Sequence, residues 1–107
     1  MGFPGWMKKA YGARCWWKCE ACGRAFSEGW MLEFHHRNPQ SNGGPDTFDN
    51  MELLCLEHHY RRHEELRRMG IDHPSSSGLV FERWQRTGGR TQAWIDANIA
   101  VPAPRRV

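Results

Sequence analysis

The sequence contains no apolar run that approaches the roughly 20 residues needed to cross a membrane. Its first residues, MGFPGWMKKAYG, also lack the apolar stretch of a signal peptide. Trp6 stands where a myristoylation motif requires Ser or Thr. From these absences we expect a cytoplasmic protein with no membrane partner.

Lysine is scarce, and the excess of positive charge is small. Of the 15 basic residues 12 are arginine, and the formal net charge is only +3. This balance is weak evidence for a nucleic-acid partner, although arginine binds phosphate as a planar fork rather than as a point charge. Neither internal repeats nor low-complexity segments occur in the sequence.

The length of 107 residues and the hydrophobic content of 39% predict one domain with a modest core. A bound structural metal ion would help to stabilise a domain of this size. We expect residues 1–70 to form the core of the fold. Residues 71–107 are expected to form a linker and a short helical extension that packs on this core.

The central part of the chain predicts a strand, a long loop, a second strand and a helix. Residues 30–36, WMLEFHH, alternate between apolar and other side chains, as a strand does. Residues 37–50 are rich in Pro, Gly, Asn and Asp, which predicts a loop. A short strand over 51–54 and a helix over 56–69 follow, and Gly70 ends that helix.

The flanking segments have weaker patterns. Residues 1–14 predict irregular structure or a short helix, and residues 71–78 predict a linker. Two short helices are expected over 79–86 and 91–100, followed by a frayed tail.

Four side chains have the spacing of a closed zinc site. Cys19 and Cys22 form a C-x2-C pair, and Cys55 and His58 form a C-x2-H pair. In a reducing compartment, closely spaced cysteines are more often metal ligands than disulfide partners. The four donors match a tetrahedral structural site. Cys15 is assigned as a spare thiol, and a variant in which it displaces one ligand stays open.

A second metal site is expected on the same helix. His59 and His63 are four residues apart and therefore lie on one helical face. Successive helical residues turn by about 100°, so His58 points away from this face. A third ligand is expected from the strand end, where His35 and His36 diverge. Three imidazoles with open positions would form a catalytic site that prefers transition metals. The imidazole that is not a ligand would be placed to deprotonate water.

Residues 19–63, CEACGRAF…LEFHHRNPQSNGGPDTFDNMELLCLEHHYRRH, resemble an HNH endonuclease of the ββα-metal or His-Me finger nucleases. The resemblance rests on the paired histidines before x-x-Pro, the Gly-Gly loop, the Asp-Asn before a short strand, and Cys-x-x-His-His at the helix start. It implies an α+β fold, a small ββα-metal domain with a structural zinc knuckle and short flanking helices. The implied activity is metal-dependent hydrolysis of phosphodiester bonds in DNA, by nicking or double-strand cleavage.

The resemblance also implies roles for individual residues. His36 matches the general base that activates water, and Asn50 matches the central Asn that ties down the loop and orients the base. His35 stands where many members have Asp and would bind the catalytic ion together with His59. His63 resembles the additional ligand of the colicin-type nucleases.

Two departures from the family pattern concern the metals. The all-imidazole set resembles the colicin branch, whereas the zinc cysteines resemble the zinc-stapled branch, in which a fourth Cys usually stands at the position of His58. We therefore expect one structural Zn²⁺ and one catalytic divalent ion, which would be Mn, Ni, Co, Zn or Mg. The family also implies a phage, restriction or mobile-element setting.

Several arginines are candidates for contact with flanking phosphates, with a solvated surface as the alternative for each. The candidates are Arg37, Arg61, Arg62, Arg83 and Arg86. Packing is expected for most of the six tryptophans, and Trp84 is the one singled out for a test of DNA contact.

Two other functions stay open at this point. One is a zinc-stabilised nucleic-acid-binding module without catalysis, and the other is an RNA-cleaving nuclease with the same site. One active site cuts one strand, so a double-strand break needs a dimer or two visits. The chain is expected to be a monomer or a weak homodimer.

Overall fold

The fold is built from a two-stranded sheet and the helices that flank it. The computed structural model describes residues 2–71 and 74–99, with the backbone alone described for 74–77. The strands and α-helices of this part are α1 (Gly5–Arg14), β1 (Leu32–His36), β2 (Met51–Cys55), α2 (Leu56–Arg68), α3 (Pro74–Thr87) and α4 (Gln92–Asn98). This is the predicted α+β class, and the unit β1–β2–α2 is consistent with a ββα-metal fold. No helix in these ranges combines the length and the apolar character needed to span a membrane.

The predicted strands and the helix of the central unit are present, with small shifts at their ends. Helix α3 differs from the prediction because it begins at Pro74, inside the segment 71–78 that was expected to be a linker. Proline is well tolerated in the first turn of a helix, where the missing N–H would have no intrahelical partner. Residues 72–73 and the predicted tail lie outside the described residues.

The two strands pair antiparallel, and their register decides which side chains share a face. Phe34 lies opposite Leu53, and His35 lies opposite Glu52. Because side chains alternate along a strand, Phe34 points to the side of β1 that packs against α1, and its ring meets that of Tyr11 at 6.4 Å. The neighbouring residue His35 therefore faces α2.

The core lies between α1 and the sheet. Its buried side chains are Phe3, Met7, Tyr11, Met51 and Leu53. A hydrogen-bond network closes one edge of this core, because the Tyr11 hydroxyl donates to Glu20 Oε2 at 2.7 Å and also lies 3.0 Å from the Met51 carbonyl oxygen. The same Glu20 oxygen accepts the backbone N–H of Leu53 at 2.7 Å. Glu20 thereby fixes the cysteine knuckle to both α1 and β2.

Helix α3 packs on α2 through aromatic rings. Tyr60 of α2 lies 5.0 Å from Phe81 and 6.1 Å from Trp84, measured between ring centroids. Trp84 is therefore a half-buried packing residue of the α2–α3 interface. Trp30 also packs, since Arg24 and Arg90 lie over its ring at 4.7 and 3.6 Å.

Candidate active site

The four predicted zinc ligands come together where the knuckle meets the start of α2. One donor atom from each of Cys19, Cys22, Cys55 and His58 lies within 4.8 Å of the others. The sulfur atoms of Cys22 and Cys55 are 3.8 Å apart, and Cys55 Sγ is 3.2 Å from His58 Nδ1. A tetrahedron with Zn–S bonds of about 2.3 Å has S–S edges of about 3.8 Å. The donor set and its spacing therefore fit a structural zinc ion.

Local backbone geometry and nearby charges favour the binding of a metal ion by these four side chains. Gly23 has φ +80°, a conformation that glycine adopts without strain, and its N–H donates to the Cys19 carbonyl at 2.8 Å. Hydrogen bonding from the Cys55 side chain is the main cause that lowers the pKa of the Cys19 thiol. Arg24 donates to Cys55 Sγ at 3.4 Å and to Glu57 Oε1 at 2.8 Å. Its positive charge offsets the charge of clustered thiolates, a role that sequence spacing did not indicate.

A second cluster is formed by imidazoles from β1 and α2. Donor nitrogens of His35, His59 and His63 lie within 4.8 Å of one another, and the Nε2 atoms of His59 and His63 are 3.0 Å apart. His35 is only 3% exposed. Burial, reinforced by the neighbouring histidines, lowers the pKa of His35 to about 2. His35 is therefore neutral throughout the physiological range, which is the form that binds a metal ion.

Glu33 contacts one histidine of the imidazole cluster on the side away from the cluster centre. This role was not predicted from the sequence. The Glu33 Oε1 atom accepts a hydrogen bond from His59 Nδ1 at 2.7 Å, which leaves His59 Nε2 directed at the cluster. Arg83 of α3 forms an ion pair with the other Glu33 oxygen. A carboxylate behind a ligating histidine fixes its tautomer and raises its basicity. The spacing in the sequence could have indicated this role, because Glu33 stands two residues before His35 and therefore lies on the same face of β1.

Replacing Glu33 with Gln is expected to weaken metal binding at the imidazole cluster by about 10- to 100-fold. The variant keeps the size and one acceptor oxygen but removes the charge that polarises His59. Isothermal titration of the zinc-loaded protein with Mn²⁺ or Co²⁺ measures the effect. Glu65→Gln is the matched control, since it removes the same charge from an exposed side chain of α2. Equal affinities of the wild type and Glu33→Gln, or an equal loss in the control, would contradict this role.

His36 lies beside the imidazole cluster but makes different contacts. Its Nε2 atom is 2.8 Å from Asp46 Oδ1, and its ring stacks on Phe3 at 3.9 Å with an interplanar angle of 10°. When Nε2 carries the proton it donates to Asp46, and Nδ1 then holds the free lone pair. Asp46 is a second residue that the sequence analysis missed.

His36 and the three clustered histidines line one cleft of about 240 Å³. Its lining residues are Phe34, His35, His36, Pro39, Gln40, Ser41, His59 and His63. The cleft lies at the end of β1, where neighbouring strand residues can both reach it. One open site therefore combines a group of metal-binding nitrogens with a separately held imidazole.

Asn50 holds the loop that carries Asp46. Its buried side chain accepts the Asn38 N–H at 2.8 Å and donates to the carbonyls of Asn38 and Pro45 at 3.0 and 2.9 Å. Gly44 lies so close to this turn that an added Cβ would overlap the Asn38 carbonyl oxygen. Asn50 thus joins the two ends of the loop, and the closed loop places Asp46 against His36.

Four of the five candidate DNA-binding arginines are already paired with carboxylates. The pairs are Arg61–Glu57, Arg62–Glu52, Arg37–Glu52 and Arg83–Glu33. Arg62 contacts Glu52 through both Nε and Nη2, and Glu52 is buried. Arg86 is exposed on α3. Most of the positive charge carried by these side chains is therefore balanced within the protein.

Comparison with protein families gives a match that covers the segment carrying both clusters. No curated protein and no solved structure matches the chain significantly. Residues 19–65 match the family model described as HNH endonuclease, which supports assigning this segment, just under half of the chain, to the HNH family.

Proposed function

We propose that this protein is a metal-dependent DNA endonuclease that hydrolyses phosphodiester bonds by nicking or double-strand cleavage. The observation that carries the proposal is the cleft in which His36 lies beside His35, His59 and His63. A nucleic-acid-binding module needs no such combination. The match of residues 19–65 to the HNH endonuclease family supports the same conclusion.

In this proposal the three clustered histidines hold the catalytic divalent ion. Their neutral, closely spaced nitrogens fit a transition-metal ion better than magnesium. Such an ion, when bound, supplies positive charge that polarises the scissile phosphate and stabilises the leaving 3′ oxygen. Glu33 keeps His59 in the orientation that directs Nε2 at this ion.

His36 acts as the general base in this reaction. It takes a proton from the water that attacks phosphorus in line with the leaving oxygen. Phe3 fixes the plane of the ring, and Asp46 stabilises the positive charge that the ring gains. Asn50 contributes indirectly, because it holds the loop on which Asp46 lies.

The remaining parts of the proposal concern the scaffold. Cys19, Cys22, Cys55 and His58 hold one structural zinc ion, which ties the knuckle to β2 and α2. Residues 1–70 form the nuclease core, and the segment from residue 71 onwards packs on it through α3. A cytoplasmic location is part of the proposal, because a reducing compartment keeps cysteines available as metal ligands. The chain is proposed to act as a monomer or a weak homodimer.

Nicking of supercoiled DNA across a series of metals tests the proposal. We expect Mn²⁺, Co²⁺, Ni²⁺ or Zn²⁺ to support more activity than Mg²⁺ at equal concentration, because the donors are all imidazole. Activity with Mg²⁺ alone that equals or exceeds these would count against the three-histidine site. Binding without cleavage under every metal would favour a module without catalysis. Faster cleavage of RNA than of DNA would favour the ribonuclease alternative.

A further inference from the structure

Helix α1 carries three cations that have no carboxylate partner among the described residues. Helix α1 contains Lys8, Lys9 and Arg14 and no acidic residue. Within the described part of the chain none of the three forms an ion pair, whereas most arginines of α2 and α3 do. Unpaired cations are the ones able to neutralise the phosphates of a bound strand. These three side chains therefore make α1 a candidate for contact with phosphates.

Helix α1 lies beside the candidate active site. Phe3, two residues before the helix, stacks on His36. Lys8 lines a groove of about 600 Å³ together with His59, His63 and Arg83. A strand that crosses the imidazole cluster in this groove would pass the Lys8 ammonium group.

Trp6 gives the same helix an exposed aromatic surface. Its side chain is 66% exposed, whereas Trp30 and Trp84 are packed against other residues. Trp6 meets the ring of Phe48 edge-to-face at 6.1 Å. Phe48 belongs to the same loop as Asp46, and Trp6 is three residues from Phe3, the residue that stacks on His36. Lys9 lies three residues further along α1 and is therefore a neighbour of Trp6 on the helix surface. An exposed indole next to a cation is suited to binding single-stranded nucleic acid.

We propose that α1 is the strand-binding element of the nuclease and that its substrate carries unpaired bases next to the cut. The inference rests on the proposed nuclease function and adds to it the class of DNA that the site prefers. Lys8 and Lys9 bind backbone phosphates, and Trp6 stacks on an unpaired base. In a regular duplex the faces of each base are covered by its neighbours, so Trp6 selects single-stranded DNA, flaps or bulges over intact duplex.

Fluorescence anisotropy with zinc-loaded protein and no added catalytic metal tests binding apart from cleavage. The probes are a labelled single strand, the same sequence as a duplex, and a duplex with a bulge. Trp6→Ala is expected to lower affinity for the single strand roughly 5- to 150-fold. The double variant Lys8→Ala/Lys9→Ala is expected to reduce the slope of log affinity against log salt by about 1.4, since each phosphate contact on a single strand contributes about 0.7.

Two variants serve as matched controls. Trp16 is 81% exposed but lies beyond the C-terminal end of α1, ten positions along the chain from Trp6. Arg61 is an exposed cation that is paired with Glu57. Trp16→Ala and Arg61→Ala should each change affinity less than twofold. Thermal melting should show that all four variants remain folded, because every substituted side chain is exposed or half-buried.

Several results would overturn the proposal. Wild-type affinity in Trp6→Ala, an equal loss in Trp16→Ala, or an unchanged salt slope in the lysine variant would each exclude α1 as the strand-binding element. Equal affinity of the wild type for single strand and duplex would exclude the preference for unpaired bases. If the wild type nicks plasmid with added metal while the α1 variants nick with unchanged KM, the inference fails and the nuclease function stands. If the wild type binds as expected but cuts under no metal, only the nuclease function fails.

Discussion

A Cys22→Ser variant is expected to lose the tightly bound zinc ion and, with it, the folded state. The Cys22 side chain is exposed, and substitutions at exposed positions ordinarily change the free energy of unfolding by less than about 0.5 kcal/mol. A structural zinc ion contributes an apparent 10–16 kcal/mol, roughly as much as the whole stability of a typical domain, about 5–15 kcal/mol. A collapse of stability on changing this exposed thiol therefore has metal binding as its cause.

Metal analysis and thermal melting check this expectation together. The wild type should retain about one zinc per chain after dialysis, and Cys22→Ser should retain none and unfold or become insoluble. Cys15→Ser is the matched control, because Cys15 is a half-buried thiol whose pKa is raised by burial and that lies outside the ligand cluster. It should keep zinc and melt near the wild-type temperature. A folded, metal-free Cys22→Ser protein would rule out the zinc assignment, and zinc loss in Cys15→Ser would move the ligand set to Cys15.

The sequence predicted most of the central unit because its signals are local. Alternation over residues 30–36 indicated β1, and the density of Pro, Gly, Asn and Asp indicated the loop that follows. The start of α3 was missed, because Pro-Ser-Ser-Ser-Gly has little helical propensity. Packing of Phe81 and Trp84 on Tyr60 stabilises this helix from outside the segment.

The supporting contacts of the candidate site were harder to predict than the histidines themselves. Glu33 and Arg83 are 50 residues apart, and the contact between Asp46 and His36 depends on the path that Asn50 imposes on the loop. Periodicity and motif spacing describe the structure within one segment. The contacts named here depend on how separate segments pack against each other. The ion pairs of the candidate arginines could not be predicted for the same reason. Five arginines were candidates for DNA contact in the sequence, and four of them are paired with carboxylates in the structure.

Replacing His36 with Ala is expected to lower the rate of DNA nicking by about 10²- to 10⁴-fold, the usual contribution of a positioned general base. His36 lies outside both ligand clusters, so the variant should keep its zinc ion and its affinity for the catalytic metal. Its DNA affinity should also remain. Because the substitution removes the stacking on Phe3 and the contact with Asp46, thermal melting must first show that the variant is folded.

Replacing His35 with Ala should also lower the nicking rate, but for a different reason. His35 is buried in the imidazole cluster, so replacing it should lower the affinity for the catalytic ion and leave the general base in place. Nicking rates measured against metal concentration separate the two roles, since a high concentration should partly restore His35→Ala and leave His36→Ala slow. His35→Asp is the conservative control, because a carboxylate can replace the imidazole as a ligand, and it should be more active than His35→Ala. Rescue of His36→Ala by metal, without rescue of His35→Ala, would reverse the two assignments. Wild-type rates in both alanine variants would exclude this histidine pair as the catalytic centre, because neither a base nor a ligand can be removed without cost to the reaction.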